Sequence, residues 1–178
     1  KLIVLLGPTA SGKTALAVEL ACALDGEIIS ADSRQIYRRL DIGTGKDLKE
    51  YGFIPYHLID SHEIREAFSV AHFQKTAFDA INDVFSRGKQ PILCGGTGLY
   101  IESLLANYQF SHVPHFLSEP LDIQFKYTVF GLNPSTETRR EKISTRFQAR
   151  LKEGMLEEVQ QLLYDGVNPE ELRWMGLE

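Results

Sequence analysis

GPTASGKT, residues 7–14, decides how the rest of this chain is read. Gly7, Gly12, Lys13 and Thr14 complete the pattern G-x-x-x-x-G-K-[ST], whose glycines let backbone N–H groups turn inward around an anion. Pro8, Thr9, Ala10 and Ser11 span the loop between them. Lys13 adds a point charge, a helix beginning there adds the positive end of its dipole, and Thr14 offers a hydroxyl to Mg²⁺. The plain alternative is a glycine-rich turn. The flanks favour a phosphate loop. Leu2–Leu6 read as a buried strand. Ala15, Leu16, Leu20, Ala21 and Leu24 recur at helical spacing, up to a stop at Asp25-Gly26.

The same alternation continues. Residues 27–31 read as a second strand that delivers Asp32-Ser33-Arg34-Gln35 at its end, and 56–60 as a short third strand. Residues 68–85 are amphipathic, with Phe73, Ala77, Ala80, Ile81 and Val84 as the apolar stripe, Ser69 as the start and Arg87-Gly88-Lys89 as the close. Residues 91–94 read as a buried strand ending in Gly95-Gly96-Thr97-Gly98, with a helix from there to about Leu105. Residues 108–125 lack periodicity, and 127–131 read as one more strand. Asn133-Pro134 predicts a helix opening. Ile143, Phe147 and Leu151 form an apolar stripe beyond it, and the helical pattern runs to about Leu163 with a break at Gly154. Strands alternating with helices imply an α/β fold, a parallel sheet with helices on both faces. Ligands bind such sheets at the C-terminal strand ends. The three polar clusters, 7–14, 32–35 and 95–98, all fall there.

Composition is that of a globular protein: 178 residues, 43% apolar, 24% charged. No apolar run approaches a bilayer span, no secretory signal is present, and the chain starts at Lys1 as a trimmed chain would. Cys22 and Cys94 lack metal-ligand spacing and are expected to be small buried residues in a reducing, cytoplasmic setting. The net charge of −5 argues against a general nucleic-acid coat. Its distribution is uneven: Lys126, Arg139, Arg140, Lys142, Arg146, Arg150 and Lys152 form a basic run that either faces an anionic partner or is a solvated helix face. No apolar strand ends in a magnesium-holding aspartate as in hydrolytic phosphate-loop proteins. The nearest such carboxylate is Asp32, which suggests that it faces the reacting group.

GPTASGKT, ISADSRQIYRRLDIGTGK (29–46), PYHLID (55–60), FSVAHFQ (68–74) and ILCGGTGLYIESLL (92–105) follow in order. Together they resemble the tRNA dimethylallyltransferase, or tRNA isopentenyltransferase, family, closely over residues 2–106 and more loosely over 127–178. The resemblance implies a P-loop kinase-like fold and a monomer. It also implies transfer of a dimethylallyl group from dimethylallyl diphosphate to N6 of an adenine beside the anticodon of tRNA. The loop then holds a departing diphosphate, with Mg²⁺ at Thr14, and no ATP is consumed. The expected organisation is a P-loop core over 1–107, a remnant of the family's helical insertion over 108–126, and a return to the core over 127–178. The family's C-terminal portion is missing too, and Met175–Glu178 stops inside an expected helix.

Site residues carried over by the resemblance are Asp32 as general base and Arg146 near the donor diphosphate. Asp32, Ser33, Arg34, Gln35 and Thr97 are the implied tRNA contacts. Asp32 also reads as a cap or metal ligand, Arg146 as part of a basic surface, and Thr97 as a helix cap. Tyr37 and Tyr100 could stack a base or belong to the core. His57 and His62 read as structural. Two rival activities share the loop: prenylation of free AMP or ATP, and small-metabolite phosphorylation. A third is nucleotide binding without catalysis.

Overall fold

The structure, a computed structural model, describes residues 1–175, apart from the Trp174 side chain. Its elements in chain order are β1 (Leu2–Leu6), α1 (Lys13–Leu24), β2 (Gly26–Ala31), α2 (Asp41–Thr44), a 3₁₀ turn at Leu48–Tyr51, β3 (Tyr56–His57), α3 (Val70–Ser86), β4 (Gln90–Gly95), α4 (Gly98–Leu105), α5 (His115–Ser118), β5 (Tyr127–Gly131), α6 (Thr136–Glu153), α7 (Met155–Tyr164) and α8 (Pro169–Trp174). The strands form one sheet in the order β3-β2-β4-β1-β5, and every pairing is parallel.

Successive side chains of a strand leave opposite faces of the sheet, so the central strands feed two cores. Leu2, Val4, Ile29, Ala31 and Leu93 face one, against Phe73, Ala77, Ile81 and Val84 of α3 and Tyr100 and Leu104 of α4. Leu5, Ile28, Ile92 and Cys94 face the other, against Ala17 and Ala21 of α1. The buried residues of α1 are these two alanines rather than its leucines, and Leu24 is exposed. Small side chains let the helix lie close behind its loop. Gly95 marks an equally tight approach: a Cβ there would sit 2.1 Å from the Ala31 carbonyl oxygen.

Ser69 caps α3 as expected, in a reciprocal pair with His72. The expected opening at Asn133-Pro134 is displaced: Ser135 caps α6, its hydroxyl accepting the Thr138 amide at 3.2 Å. The same Asn-Pro signal does open a helix at Asn168-Pro169, where Asn168 and Glu171 close a capping box on α8. The third strand is two residues long instead of five. Of the expected stripe, Ile143 and Phe147 are exposed and Leu151 is half-buried, and α6 fully buries no apolar side chain. Cys22 is exposed as well, since its helix turns that face to solvent; Cys94 is buried as expected. The expected helix at Met175–Glu178 lies, from Gly176 on, outside the described residues.

Glu27 lies buried at the start of β2, where sequence periodicity gives no warning of a charge. Arg87 forks onto both its oxygens and His57 Nε2 meets it at 2.7 Å. The guanidinium hydrogen bond holds the Glu27 carboxyl down at about 2, with His57 assisting against the opposing effect of burial. A carboxyl whose value falls on folding stabilises the native state above its unfolded value, and the gain is lost as pH drops through the folded one. Stability is therefore expected to decline from about pH 5 towards pH 2. Glu27→Gln should flatten that decline and lower stability at neutral pH by weakening the fork with Arg87. Urea unfolding across pH checks both.

Candidate active site

Parallel pairing of β1, β4 and β2 aligns their C-terminal ends in one row. The loops leaving those ends, with α6 opposite, enclose a cavity of about 530 Å³. Its lining includes Thr9 to Ala15 of the phosphate loop, Asp32 and Gln35 after β2, Cys94 and Gly95 at the end of β4, and Lys142 and Arg146 from α6. Thr44 to Tyr51 contribute the remaining wall through Thr44, Gly45, Asp47, Glu50 and Tyr51.

The loop has the backbone its sequence requires. Gly12 is left-handed, at φ 85°, where it opens α1. Gly7 is packed against the loop that follows β5: a Cβ would come within 2.7 Å of the Leu132 carbonyl oxygen. Lys13 Nζ donates to the Pro8 carbonyl at 3.2 Å, folding the ammonium back over the loop. Ser11 Oγ is buried with no partner among the described residues. Gly7 and Pro8 border a second, mostly apolar cavity with Gly96, Gly98 and Leu132, not the main one.

The carboxylate of Asp32 accepts the Arg34 amide through Oδ1 at 3.0 Å. Thr97 holds the N-cap position of α4 without capping it. Its hydroxyl instead accepts the Ser33 amide at 3.0 Å and lies 3.3 Å from the Ser33 hydroxyl, tying the β2 and β4 loops together. Gln35 bridges inward: Nε2 donates to the Gly45 carbonyl at 3.1 Å, and Oε1 accepts from Ser30 at 3.3 Å. Only Arg34 of this segment is exposed. Tyr37 and Tyr100 are core residues, and Tyr100 stacks on Phe73 at 4.3 Å, so neither is available to a base. His57 has the Glu27 partner, and His62 packs edge-on to Phe68.

Arg146 reaches the cavity from α6 and donates to Asp47 at 3.3 Å, while Arg150 meets both Asp47 oxygens at 2.8 and 2.9 Å. Sequence reasoning did not single out Asp47. It sits one residue past the 29–46 segment, with no periodicity to place it. Tyr51 and Cys94 were also missed as cavity residues; burial pushes the Tyr51 hydroxyl up, and burial pushes the Cys94 thiol up to about 11.

Among the described residues no three His, Cys, Asp or Glu side chains cluster as a metal cage. Magnesium does not need one, since it takes one or two protein oxygens and completes its shell with phosphate and water. Thr14, on the cavity wall, fits that donor set. No helix among the described residues is long and apolar enough to cross a membrane.

A five-stranded parallel sheet carrying a lysine-bearing glycine loop at the end of β1 defines a P-loop protein. A family model for the IPP transferases matches residues 35–122 and 115–178. The chain belongs to that family. It is 40% identical to tRNA dimethylallyltransferase 1 of Parabacteroides distasonis, in a match covering all of this chain and 76% of the relative. That match runs over 233 aligned positions against the chain's 178 residues, so the relative carries residues within it that are absent here. Among solved structures, the full-length tRNA isopentenylpyrophosphate transferase of Bacillus halodurans superposes with a TM-score of 0.87 at 28% identity, covering 97% of this chain and 73% of that one. The tRNA delta(2)-isopentenylpyrophosphate transferase of Staphylococcus epidermidis gives 0.82 at 32%, covering 97% and 76%.

Lys13→Ala removes the loop's one ammonium without touching either core. Its affinity for inorganic diphosphate should fall about 10–100-fold, the loss of one charge-assisted hydrogen bond. Titration calorimetry measures that loss, and an unchanged melting temperature should accompany it.

Proposed function

We propose that the protein transfers a dimethylallyl group from dimethylallyl diphosphate to N6 of an adenine next to the anticodon of tRNA, releasing diphosphate. It would act as a monomer in the cytoplasm. The observation that carries this reading is that Asp32, the phosphate loop and Arg146 line one cavity, in a chain whose relatives bear the name tRNA dimethylallyltransferase.

In this reading the allylic C–O bond breaks and its electron pair goes to the bridging oxygen of diphosphate. The amides of residues 9–14, Lys13 and Arg146 meet the growing charge there, as donors aimed at a developing anion do. Thr14 and the phosphate oxygens would hold Mg²⁺, which supplies further neutralisation of the leaving group. The N6 lone pair forms the new N–C bond, and the proton shed by nitrogen passes to Asp32. Oδ1 of Asp32 is engaged by the Arg34 amide, which leaves Oδ2 as the acceptor. The target adenine must leave its stack to reach this depth. Ser33, Arg34, Gln35 and Thr97 are the proposed tRNA contacts at the rim. Gln35 and Thr97 also shape the loop, through their bonds to Gly45 and Ser33.

The basic α6 favours RNA over free AMP as acceptor. Arg140 and Lys142 are exposed on it beside the cavity-facing Arg146. Incubation with labelled donor and either unmodified tRNA or AMP separates the two; label on AMP alone ends the tRNA reading, and transfer of the ATP γ-phosphate to a small metabolite would indicate a kinase. Asp32→Asn should lower kcat by about 10²–10⁴-fold, the usual worth of a positioned base, with donor affinity largely kept. The readout is the mass shift of a tRNA anticodon fragment.

A further inference from the structure

We propose that Asp47, anchored by Arg150, is a positioning residue that aims Arg146 into the cavity. The inference rests on the reading of this site as a diphosphate site.

A carboxylate on the wall of an anion-binding cavity needs a reason, because it opposes the ligand it faces. The geometry supplies one. Both Asp47 oxygens accept from Nη2 of Arg150, at 2.8 and 2.9 Å, and Nη1 of the same guanidinium donates to the Ile42 carbonyl at 2.6 Å. Arg150 is mostly buried, with its side chain 12% exposed. It is therefore committed to the protein and does not line the cavity. Arg146, one helical turn earlier, is 41% exposed, and its one hydrogen bond among the described residues is the 3.3 Å contact from Nη2 to Asp47 Oδ2. That contact orients the guanidinium plane and leaves Nε and Nη1 for phosphate oxygens. Two guanidiniums against one carboxylate leave the trio with a net positive charge.

The backbone beneath is shaped to allow this. Gly45 is left-handed, at φ 68°, and a Cβ there would meet Arg146 Nη2 at 3.0 Å and Arg150 Nη2 at 3.1 Å. Asp47 is itself left-handed, at φ 45°, a conformation Asp tolerates better than most residues. From below, Lys46 is buried against Asp41, Asp60 and the Tyr37 carbonyl, which fixes the segment that presents Asp47. Two arginines one turn apart thus divide the labour: one is fixed by the carboxylate, the other is steered by it.

The test is a double-mutant cycle on affinity for inorganic diphosphate, using wild type, Asp47→Ala, Arg146→Ala and the double variant, with Asp47→Asn as the variant that keeps side-chain shape. Asp47→Ala should weaken binding about tenfold in the wild-type background, as coupled neighbours do, and have almost no effect once Arg146 is gone. Equal losses in both backgrounds, with a lowered melting temperature, would mean that Asp47 only fastens α6 and would overturn the proposal. So would tighter binding in Asp47→Asn, which would make Asp47 a competitor for Arg146. No change in Arg146→Ala would overturn it too. Prenyl transfer is followed in parallel. Coupling in diphosphate affinity without transfer sinks the functional reading and leaves the positioning role standing; transfer with additive affinities does the reverse.

Discussion

Parallel pairing of β2, β4 and β1 is the constraint on which the site depends. It puts the C-terminal ends of three strands side by side, and each end opens into a polar loop. The pairing is tight enough to restrict side chains: Gly95 has no room for a Cβ against Ala31, and its neighbour Thr97 donates its amide to the Ala31 carbonyl at 3.1 Å. The Thr97 hydroxyl then receives the Ser33 amide. The loops after β2 and β4 are in consequence one hydrogen-bonded unit beside the phosphate loop, and Asp32 is held by the sheet's own geometry. The two apolar cores on either face secure that sheet, which is why the loops can be polar without cost to its stability.

The opposite wall is held by different forces. None of the apolar side chains of the 18-residue α6 is fully buried, so apolar burial does not place it. Charge and backbone hydrogen bonds do. Arg150 joins it to Asp47 and the Ile42 carbonyl. Glu158 of α7 accepts the amides of Asp41, Ile42 and Gly43 at 2.7, 2.8 and 2.9 Å. Leu162 and Leu172, by contrast, reach the main core and keep α7 and α8 attached.

The sequence was legible wherever one residue type has one physical use. Gly12, Lys13 and the apolar run of β1 announce a phosphate loop, and the continuous apolar run of β4 and the period-3.6 stripe of α3 match their burial. It was less legible where a pattern has two uses. Asn-Pro opens α8 but not α6, because Ser135 offers a competing cap two residues later. The Ile143-Phe147 stripe has helical spacing, yet spacing says only that two side chains share a face, not that anything covers it. Polar contacts distant in sequence were invisible: Glu27 with Arg87, and Asp47 with Arg150, have no local signature. Of the candidate site residues, the structure brings the loop, Asp32 and Arg146 to one cavity, and gives Gln35 and Thr97 bonding partners in neighbouring loops.

An allylic carbon made electron-poor beside a phosphate loop would alkylate any good nucleophile within reach, so the cavity must offer the incoming nitrogen no rival. Cys94 and Tyr51 line it, and a thiolate there would compete. Burial answers this. The Cys94 thiol is pushed up to about 11, against the opposing pull of Lys13, and stays protonated near neutral pH. The Tyr51 hydroxyl is raised by the same cause. The apolar packing that seats β4 against α1 thus also makes a Cys94 thiolate more costly. A polar substitution that let water reach that face would lower the cost of the thiolate without altering the phosphate loop or Asp32.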